Sequence, residues 1–151
     1  MEITAARTED IPELSNLLNI LFDQEADFTS DYQVQCVGLE AIIGNPEAGR
    51  IFVALNEGVI VGMINLLYTI STALGGSVAI LNDMIVAPEG RDLGVGSKLI
   101  EHGIQYAKEQ GCKRITLLTD GDNEGAHRFY KRHGFEQSAM TVFHMALNST
   151  G

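Results

Sequence analysis

The apolar positions of this chain change their spacing several times, and each spacing predicts one element. Runs of β-branched and aromatic residues predict strands, whereas apolar residues that recur every three or four positions predict helices. The predicted strands are Glu2–Arg7, Arg50–Leu55, Val59–Thr69, Val78–Val86, Arg114–Thr119, Phe135–Gln137 and Met140–Leu147. The predicted helices start after Asp10, span Tyr32–Ile43, run from the Arg91–Gly96 segment to Gly111, and cover Glu124–His133. This alternation predicts a mixed α/β sheet with helices on its faces.

Turn and cap signals mark where these elements begin and end. Asp10 and Glu13 have the spacing of a capping box at the start of the first helix. The second helix should end at a Gly-Asn-Pro sequence that starts at Gly44. Asn56-Glu57-Gly58 joins two strand-like runs, so these strands are expected to pair as antiparallel neighbours. An acidic loop, Asp23–Asp31, separates the first two helices.

The composition indicates one globular domain that spans residues 1–151. Hydrophobic residues make up 45% of the chain and charged residues 20%, which is enough for one core and too little charge for disorder. No apolar run reaches the roughly 18 residues of a membrane helix, and the amino terminus lacks the pattern of a signal peptide. We therefore expect a cytoplasmic protein with no membrane partner.

The net charge of −10 at pH 7 limits the kinds of partner. A surface this acidic repels a phosphate backbone, which argues against nucleic-acid binding. The acidity either keeps the protein soluble or attracts a positively charged acceptor, and the sequence leaves both open. Cys36 and Cys112 lie far apart without metal-ligand spacing, so we expect reduced thiols and no metal site.

The strongest chemical signal is a strand that leads into a glycine-bearing loop at the start of a helix. Ile80–Val86 is followed by Pro88 and then by the pattern Arg91-x-x-Gly94-x-Gly96. Backbone amides and the helix dipole point to one place there, which favours an anion site, and Arg91 adds a positive charge. Alone, the pattern also fits a tight turn. It lacks the third glycine of a dinucleotide fingerprint and the lysine of a P-loop.

A second segment, Asn123–Phe135, predicts a short helix with polar groups on one side. Asn123 and Tyr130 lie about two helical turns apart, so an amide and a phenol would face one groove. The alternative is that Tyr130 packs with Ala126 and Phe129 as part of a core.

Together these segments resemble the GNAT family of N-acetyltransferases. The likeness rests on three features in the family's order: a strand ending in Val-x-Pro, the Arg-x-x-Gly-x-Gly loop, and an Asn…Ala-x-x-Phe-Tyr…Gly-Phe helix and strand. It is strong over residues 78–135. The resemblance implies a mixed, mostly antiparallel central sheet with helices on both faces. Its fourth and fifth strands would splay apart to admit acetyl-CoA.

The resemblance also implies which residues meet acetyl-CoA, the acetyl donor. Backbone groups of Met84, Ile85 and Val86 would face the pantetheine arm, which Asn123 would also meet. Tyr130 would sit beside the thioester sulfur. The residues expected around the pyrophosphate are Arg91, Asp92, Leu93, Gly94, Val95, Gly96 and Ser97.

Two positions depart from the family pattern. Asp92 stands where many relatives have glycine or a basic residue, and its negative charge is expected to weaken pyrophosphate binding. Leu118 stands where some enzymes that acetylate protein amino termini have a glutamate, which lowers the support for that substrate class.

Acetyl transfer to an alkylamine needs a base, because the protonated amine has no lone pair for attack. Asp83, next to Met84, is the first candidate; alternatively it caps a backbone group or pairs with a cation. Glu25 and Asp31 of the acidic loop are further candidates that would act through water. A strand amide near Ile85 is expected to stabilise negative charge on the carbonyl oxygen.

The departing thiolate needs a proton, and Tyr130 is suited to donate it. A phenol with an ordinary pKa of about 10 keeps its proton at neutral pH. His127 and His133 are weaker alternatives, because histidines on a basic helix are usually solvated.

The expected function is transfer of an acetyl group from acetyl-CoA to the primary amine of a small molecule, such as an amino sugar or a polyamine-like compound. The alternatives are a protein or peptide amine as acceptor, a non-catalytic acyl-CoA-binding module, and an interaction protein that keeps the fold. Tyr130 argues against the binding module. The loops Asp23–Asp31 and Ile70–Ser77 should contact the acceptor, since variable loops carry specificity. The sequence leaves the acceptor unidentified and a homodimer open.

Overall fold

The computed structural model describes residues 1–23 and 31–147, and the side chains in these ranges except those of residues 21–23. The chain falls into two compact units, Met1–Leu118 and Thr119–Gly151. The first contains β1 (Glu2–Ala5), α1 (Ile11–Asp23), α2 (Tyr32–Ile43), β2 (Gly49–Asn56), β3 (Val59–Ser71), β4 (Gly76–Val86), α3 (Val95–Glu109) and β5 (Ile115–Leu117). The second contains α4 (Glu124–Arg132). The single-domain organisation stays a prediction.

The strands of the first unit form one sheet in the order β1-β2-β3-β4-β5. Strands β1 to β4 pair antiparallel, and β5 joins β4 in parallel. The turn between β2 and β3 uses Glu57 and Gly58, whose φ angles of 52° and 81° lie in the left-handed region. Such angles give the twist that a tight hairpin requires. The mixed, mostly antiparallel sheet predicted from the sequence is confirmed.

The parallel pairing of β4 with β5 is short. It starts with Ala79 opposite Ile115 and ends with Leu81 opposite Leu117, where β5 itself ends. β4 continues to Val86. Among the described strands, residues 82–86 therefore have a neighbour only on the β3 side. This unpaired stretch of β4 lies where the family resemblance implies a splay between the fourth and fifth strands.

α1 and α2 pack on one face of the sheet. Their buried side chains form an apolar cluster with strand residues, which includes Leu14, Leu17, Leu18, Leu39, Ile51, Val53, Met63 and Ile85. A buried polar contact ties the two helices together: the Ser15 hydroxyl donates to Oε1 of Gln35, and Nε2 of Gln35 donates to Asn19 at 2.8 Å. The contact holds the helices that bracket the acidic loop, of which residues 24–30 lie outside the described ranges.

α3 covers the opposite face and approaches β3 closely. A Cβ added at Gly62 would come within 2.9 Å of Val95 and 3.1 Å of the Ile85 carbonyl oxygen. On the helix, a Cβ added at Gly103 would come within 2.9 Å of Ile64. Only glycine allows both approaches without a shift of the neighbouring atoms. The first turn of α3 is thereby held against the sheet beside the end of β4.

One irregularity in the β3–β4 ladder decides which face the end of β4 presents. Asn65 of β3 pairs with Asp83. The next residue, Leu66, pairs with Leu81, so Asn82 is an extra residue that forms a β-bulge in β4. Leu66 faces α3, and Asn65 therefore faces α1 and α2. Because cross-strand partners share a face, the side chain of Asp83 lies on the α1 and α2 side.

The two strands predicted near the carboxyl terminus are not formed, and this prediction was wrong. No ladder of the described strands includes Phe135–Gln137 or Met140–Leu147. The apolar pattern is present, but Met140, Phe143 and Leu147 are 89%, 94% and 91% exposed. A strand is stabilised by hydrogen bonds to a neighbouring strand, and an apolar pattern does not supply that neighbour.

We expect Gly62→Ala to lower the free energy of unfolding by about 1–3 kcal/mol, because its methyl group overpacks the contact with α3. Gly38→Ala is the matched control. Gly38 lies exposed on α2 with nothing within 4 Å of an added Cβ, so alanine should stabilise that helix by up to about 1 kcal/mol. Chemical denaturation of both variants measures the two changes. Equal effects would contradict the close approach of α3.

Candidate active site

Asp83 lies near the end of β4 in a polar pair with Asn65 of β3. Nδ2 of Asn65 donates to Oδ2 of Asp83 at 3.0 Å, and Nδ2 of Asn82 donates to the same oxygen at 3.3 Å. Asn65 is 1% exposed and Asp83 is half-buried. Within residues 1–23 and 31–147, no cation lies at ion-pair distance from Asp83. The described contacts of the carboxyl group are therefore with neutral amides rather than with a cation.

Burial raises the pKa of Asp83 above its ordinary value, because desolvation penalises the charged carboxylate. The hydrogen bonds from Asn65 and Asn82 act in the opposite direction, since they favour the ionised form. The net shift is upward. A carboxyl group whose pKa moves toward neutral pH is typical of a general base.

Where β5 ends, the edge of β4 carries backbone groups that no described strand pairs with. The Ala87 amide donates to the Val61 carbonyl at 2.9 Å, so it faces β3. Amides alternate between the two edges along a strand, which turns the Ile85 amide toward β3 and those of Met84 and Val86 toward the open edge. Backbone groups of Met84, Ile85 and Val86 were all expected to face pantetheine. By this alternation, the amides directed to the open edge are those of Met84 and Val86.

The loop between β4 and α3 contains two left-handed residues. Asp92 has φ 68° and Gly94, the N-cap of α3, has φ 73°. Nothing lies within 4 Å of a Cβ added to Gly94. The amide of Lys98 donates to the Gly94 carbonyl, so the amides of Val95 and Gly96 precede this bond and have no acceptor within the helix. The start of α3 is suited to an anion.

The side chains of this loop differ in their exposure. Arg91, Asp92 and Leu93 are exposed, Ser97 is half-buried, and Val95 is buried. Within the described part of the chain, no carboxylate lies at ion-pair distance from Arg91. The guanidinium is therefore available to an anion, although the negative charge of Asp92 follows it in the chain.

The second unit carries the other two predicted site residues on α4. Asn123 is the helix N-cap, and its Oδ1 accepts the Ala126 amide at 3.1 Å. Its side-chain NH2 group is a donor that the cap does not use. Tyr130 is half-buried, with the ring centroids of Phe129 and Phe135 at 5.3 and 5.7 Å. Burial raises the pKa of Tyr130, so its phenol is protonated at neutral pH.

Three of the four other acid–base candidates have structural contacts. Nε2 of His127 lies 3.0 Å from the Asp120 carbonyl oxygen, and His133 is the C-cap of α4. Asp31 accepts an amide hydrogen bond from the first turn of α2 at 3.2 Å. Glu25 lies outside the described residues.

Asn65 is the residue that the sequence analysis missed. Its Oδ1 is buried without a hydrogen-bond partner in the described structure. An unpaired buried acceptor lowers the free energy of unfolding by about 1–3 kcal/mol, so its occurrence needs an explanation. The available signal was a lone amide within the apolar run of the third predicted strand, where a polar side chain is unusual.

Two further properties concern metals and membranes. The described residues contain no cluster of three or more His, Cys, Asp or Glu side chains that could hold a metal ion. No helix in the described ranges is both long and apolar enough to cross a bilayer. Cys36 and Cys112 are free thiols.

The chain matches known proteins along most of its length. The model of the Acetyltransferase (GNAT) family matches residues 12–135, which include β4, the following loop and α4. The Uncharacterized N-acetyltransferase YhfO of Bacillus subtilis (strain 168) is 32% identical over 151 residues, 98% of this chain and 97% of that protein. The Aminoalkylphosphonate N-acetyltransferase of Salmonella typhimurium is 30% identical over 137 residues, 91% of this chain and 86% of that protein.

The fold has matches among solved structures as well. The crystal structure of a probable acetyltransferase superposes with a TM-score of 0.82 at 27% identity and covers 99% of both chains. A possible acetyltransferase from Clostridium difficile 630 superposes with a TM-score of 0.87 over 97% of both chains, at 18% identity. The second likeness concerns the fold alone.

The raised pKa of Asp83 makes stability depend on pH, and Asp83→Asn tests this. A folded pKa above the unfolded value of about 3.9 means that ionisation destabilises the fold. This penalty grows as the pH rises between the two values and is fully present above the folded pKa. Asparagine carries no charge, so the Tm of Asp83→Asn relative to the parent should rise from about pH 4 to pH 7. Thermal unfolding at several pH values measures it; a constant difference would contradict the raised pKa.

Proposed function

The chain belongs to the GNAT family of acetyltransferases, and we propose that it transfers the acetyl group of acetyl-CoA to the primary amine of a small molecule. The observation that carries the proposal is the half-buried carboxyl group of Asp83 at the splayed end of β4, followed by the open N-terminus of α3. A thioester bound along this edge would meet backbone donors and a base in one place.

The described groups in this part of the first unit fit a coenzyme A thioester. The open edge at Met84 and Val86 offers amides to an extended pantetheine arm. The loop from Arg91 to Ser97 offers helix amides and one guanidinium to a pyrophosphate. Asp92 reduces this attraction, because its charge has the same sign as the ligand's. When bound, acetyl-CoA supplies an activated acetyl group with a thiol as leaving group.

Asp83 is the proposed general base. An alkylammonium ion becomes a nucleophile only after it loses a proton, and Asp83 would accept that proton. Burial makes this carboxylate a stronger base than an exposed aspartate, since its pKa is raised. Glu25 or Asp31, acting through water, stay the alternatives.

Tyr130 is the proposed general acid, and Asn123 the proposed side-chain donor to the pantetheine arm. The phenol holds its proton at neutral pH and would give it to the departing thiolate. The amides of Met84 and Val86 are the proposed donors to negative charge on the acetyl oxygen. Ile85, whose amide faces β3, is not proposed for that role.

The proposed acceptor is a small molecule with a protonated amine. The net charge of −10 attracts cations to the protein surface. One relative is named as an N-acetyltransferase of aminoalkylphosphonates, which adds amines with a phosphonate group to the candidate amino sugars and polyamine-like compounds. A protein or peptide amine is the alternative acceptor. Leu118 speaks against that alternative, because it replaces the glutamate found in some enzymes of that class.

A non-catalytic acyl-CoA-binding module is the second candidate function, and the presence of both Asp83 and Tyr130 disfavours it.

We expect the enzyme to work in the cytoplasm. The number of protein copies in the active form stays open, with a homodimer as one possibility.

Incubation of the protein with acetyl-CoA and a panel of amines tests the function, with free thiol release as the readout. The panel contains amino sugars, polyamines, aminoglycosides, aminoalkylphosphonates and peptides, and release is expected with a small amine. Tyr130→Phe keeps the ring, so coenzyme A affinity measured by calorimetry should change little, while turnover should fall about 10²–10⁴-fold. Equal turnover would remove Tyr130 from the mechanism. Coenzyme A binding without thiol release for any amine would favour the binding module.

We expect Gly94→Glu to weaken coenzyme A binding about tenfold or more, because its carboxylate would enter the space at the start of α3 and repel the pyrophosphate. Gly111→Glu is the matched control. Gly111 has φ 80°, also has nothing within 4 Å of an added Cβ, and lies beyond the other end of α3. Both variants thus add the same charge at a left-handed position. Equal losses of affinity would show that the pyrophosphate binds elsewhere.

A further inference from the structure

We propose that Asn65 is a positioning residue for acetyl transfer: it holds Asp83 by one carboxylate oxygen, so that the other oxygen meets the acceptor amine. This inference rests on the proposed function, in which Asp83 is the base. It assigns a role to a buried polar residue that none of the sequence motifs includes.

The hydrogen bonds to Asp83 are one-sided. Nδ2 of Asn65 and Nδ2 of Asn82 both donate to Oδ2, at 3.0 and 3.3 Å. Neither amide occupies Oδ1. A carboxylate that is held at one oxygen keeps the lone pairs of the other in a fixed direction, as proton transfer from a bound amine requires.

The backbone brings the two side chains together. Asn65 and Asp83 are direct cross-strand partners at the bulge formed by Asn82. The Cβ atoms of such partners are about 4.5–5.5 Å apart, a gap that an amide and a carboxylate can bridge. Asn82 is exposed, whereas Asn65 is enclosed on all sides. Asn65 is therefore the donor with the least freedom to turn away from Asp83.

Asn65 is a poor choice for stability alone. Its Oδ1 is buried without a hydrogen-bond partner among the described residues, and its neighbours Ile64 and Leu66 are fully buried. An apolar side chain of similar size would remove the unpaired acceptor and suit the strand better. Residues that a protein keeps against its stability are typical of functional sites.

Few charged groups compete with Asn65 for Asp83. β5 has no titratable side chain. On the α1 and α2 side the described titratable side chains are Glu13, Tyr32, Cys36 and Glu40, of which Cys36 is half-buried and the others are exposed. Tyr68 of β3 lies on the face opposite to Asp83. The titratable residues of α3, which also packs on that opposite face, are Lys98, Glu101, His102, Tyr106, Lys108 and Glu109. Within the described part of the first unit, the amides of Asn65 and Asn82 are thus the groups that tune this carboxylate.

Asn65→Leu tests the proposal, with the amine that gives the fastest thiol release as acceptor. We expect kcat/KM at pH 7 to fall about ten- to a hundredfold. The acidic limb of the pH profile should move to higher pH, because loss of a hydrogen bond that favours the carboxylate raises the pKa of Asp83. At a pH below the folded pKa of Asp83, Tm should stay the same or rise, because the unpaired acceptor is removed. At pH 7 the raised pKa makes ionisation of Asp83 costlier, which opposes that gain. Tyr68→Phe, which removes a buried hydroxyl from the other face of β3, is the control and should leave the pH profile unchanged.

A double-mutant cycle separates positioning from folding. If Asn65 acts through Asp83, Asn65→Leu should have little further effect on turnover in the Asp83→Asn background. A ¹³C NMR titration of the Asp83 carboxyl group in the free protein detects the contact without any acceptor. The pKa of that group should be higher in Asn65→Leu than in the parent.

The outcomes that overturn the proposal are distinct from those that overturn the function. If Asp83→Asn is inactive but Asn65→Leu keeps the parental pH profile and NMR titration, the proposal fails and the function stands. Parallel losses of stability and activity in Asn65→Leu, with an unmoved acidic limb, would reduce Asn65 to a structural residue. If Asp83→Asn keeps parental turnover, the base assignment fails, and the positioning role fails with it.

Discussion

The extra residue in β4 is the constraint on which the geometry around Asp83 depends. Side chains alternate between the two faces of a regular strand, so residues two apart share a face, and a β-bulge interrupts this alternation at one position. Leu81, before the insertion, is paired with Leu66 on the α3 side, and Asp83, after it, is paired with Asn65 on the other side. If β4 were a regular strand with no bulge at Asn82, Asp83 would share the face of Leu81, and its carboxyl group would point into the packed apolar contact between the sheet and α3.

The same insertion sets the direction of the backbone. Before the bulge, the Ala79 amide donates toward β5, where it meets the Arg114 carbonyl. After the bulge, the alternation gives that edge to Met84 and Val86. β5 ends before it reaches them, so no described strand pairs with their amides. The bulge thus places the Asp83 carboxyl group on the α1 and α2 face and directs the amides of Met84 and Val86 to the neighbouring edge.

The features that the sequence predicted correctly depend on local signals. The helix predicted at Tyr32–Ile43 is observed with the same bounds, because its stop signal, which starts at Gly44, follows directly in the sequence. The hairpin at Asn56-Glu57-Gly58 is observed for the same reason: two of its residues adopt the left-handed angles that a tight turn needs.

The features that the sequence could not predict depend on pairing between distant segments. The bulge is a property of strand register, which the sequence does not show. The contact of Asn65 with Asp83 could therefore be recognised only in the structure. The two carboxyl-terminal segments that were predicted as strands are the opposite case. Their apolar pattern is typical of strands, but no described strand pairs with them. Motifs located most of the candidate site residues, and strand pairing supplied the remaining one.

The exposed carboxyl-terminal segment has a consequence for colloidal stability. Its large apolar side chains at the surface are Met140, Val142, Phe143, Met145 and Leu147. Such side chains favour self-association, which the net negative charge of the protein opposes by mutual repulsion. That repulsion vanishes near the isoelectric point of about 4.7. Mildly acidic buffers therefore remove the force that keeps these apolar side chains apart, and neutral or alkaline buffers with little added salt preserve it.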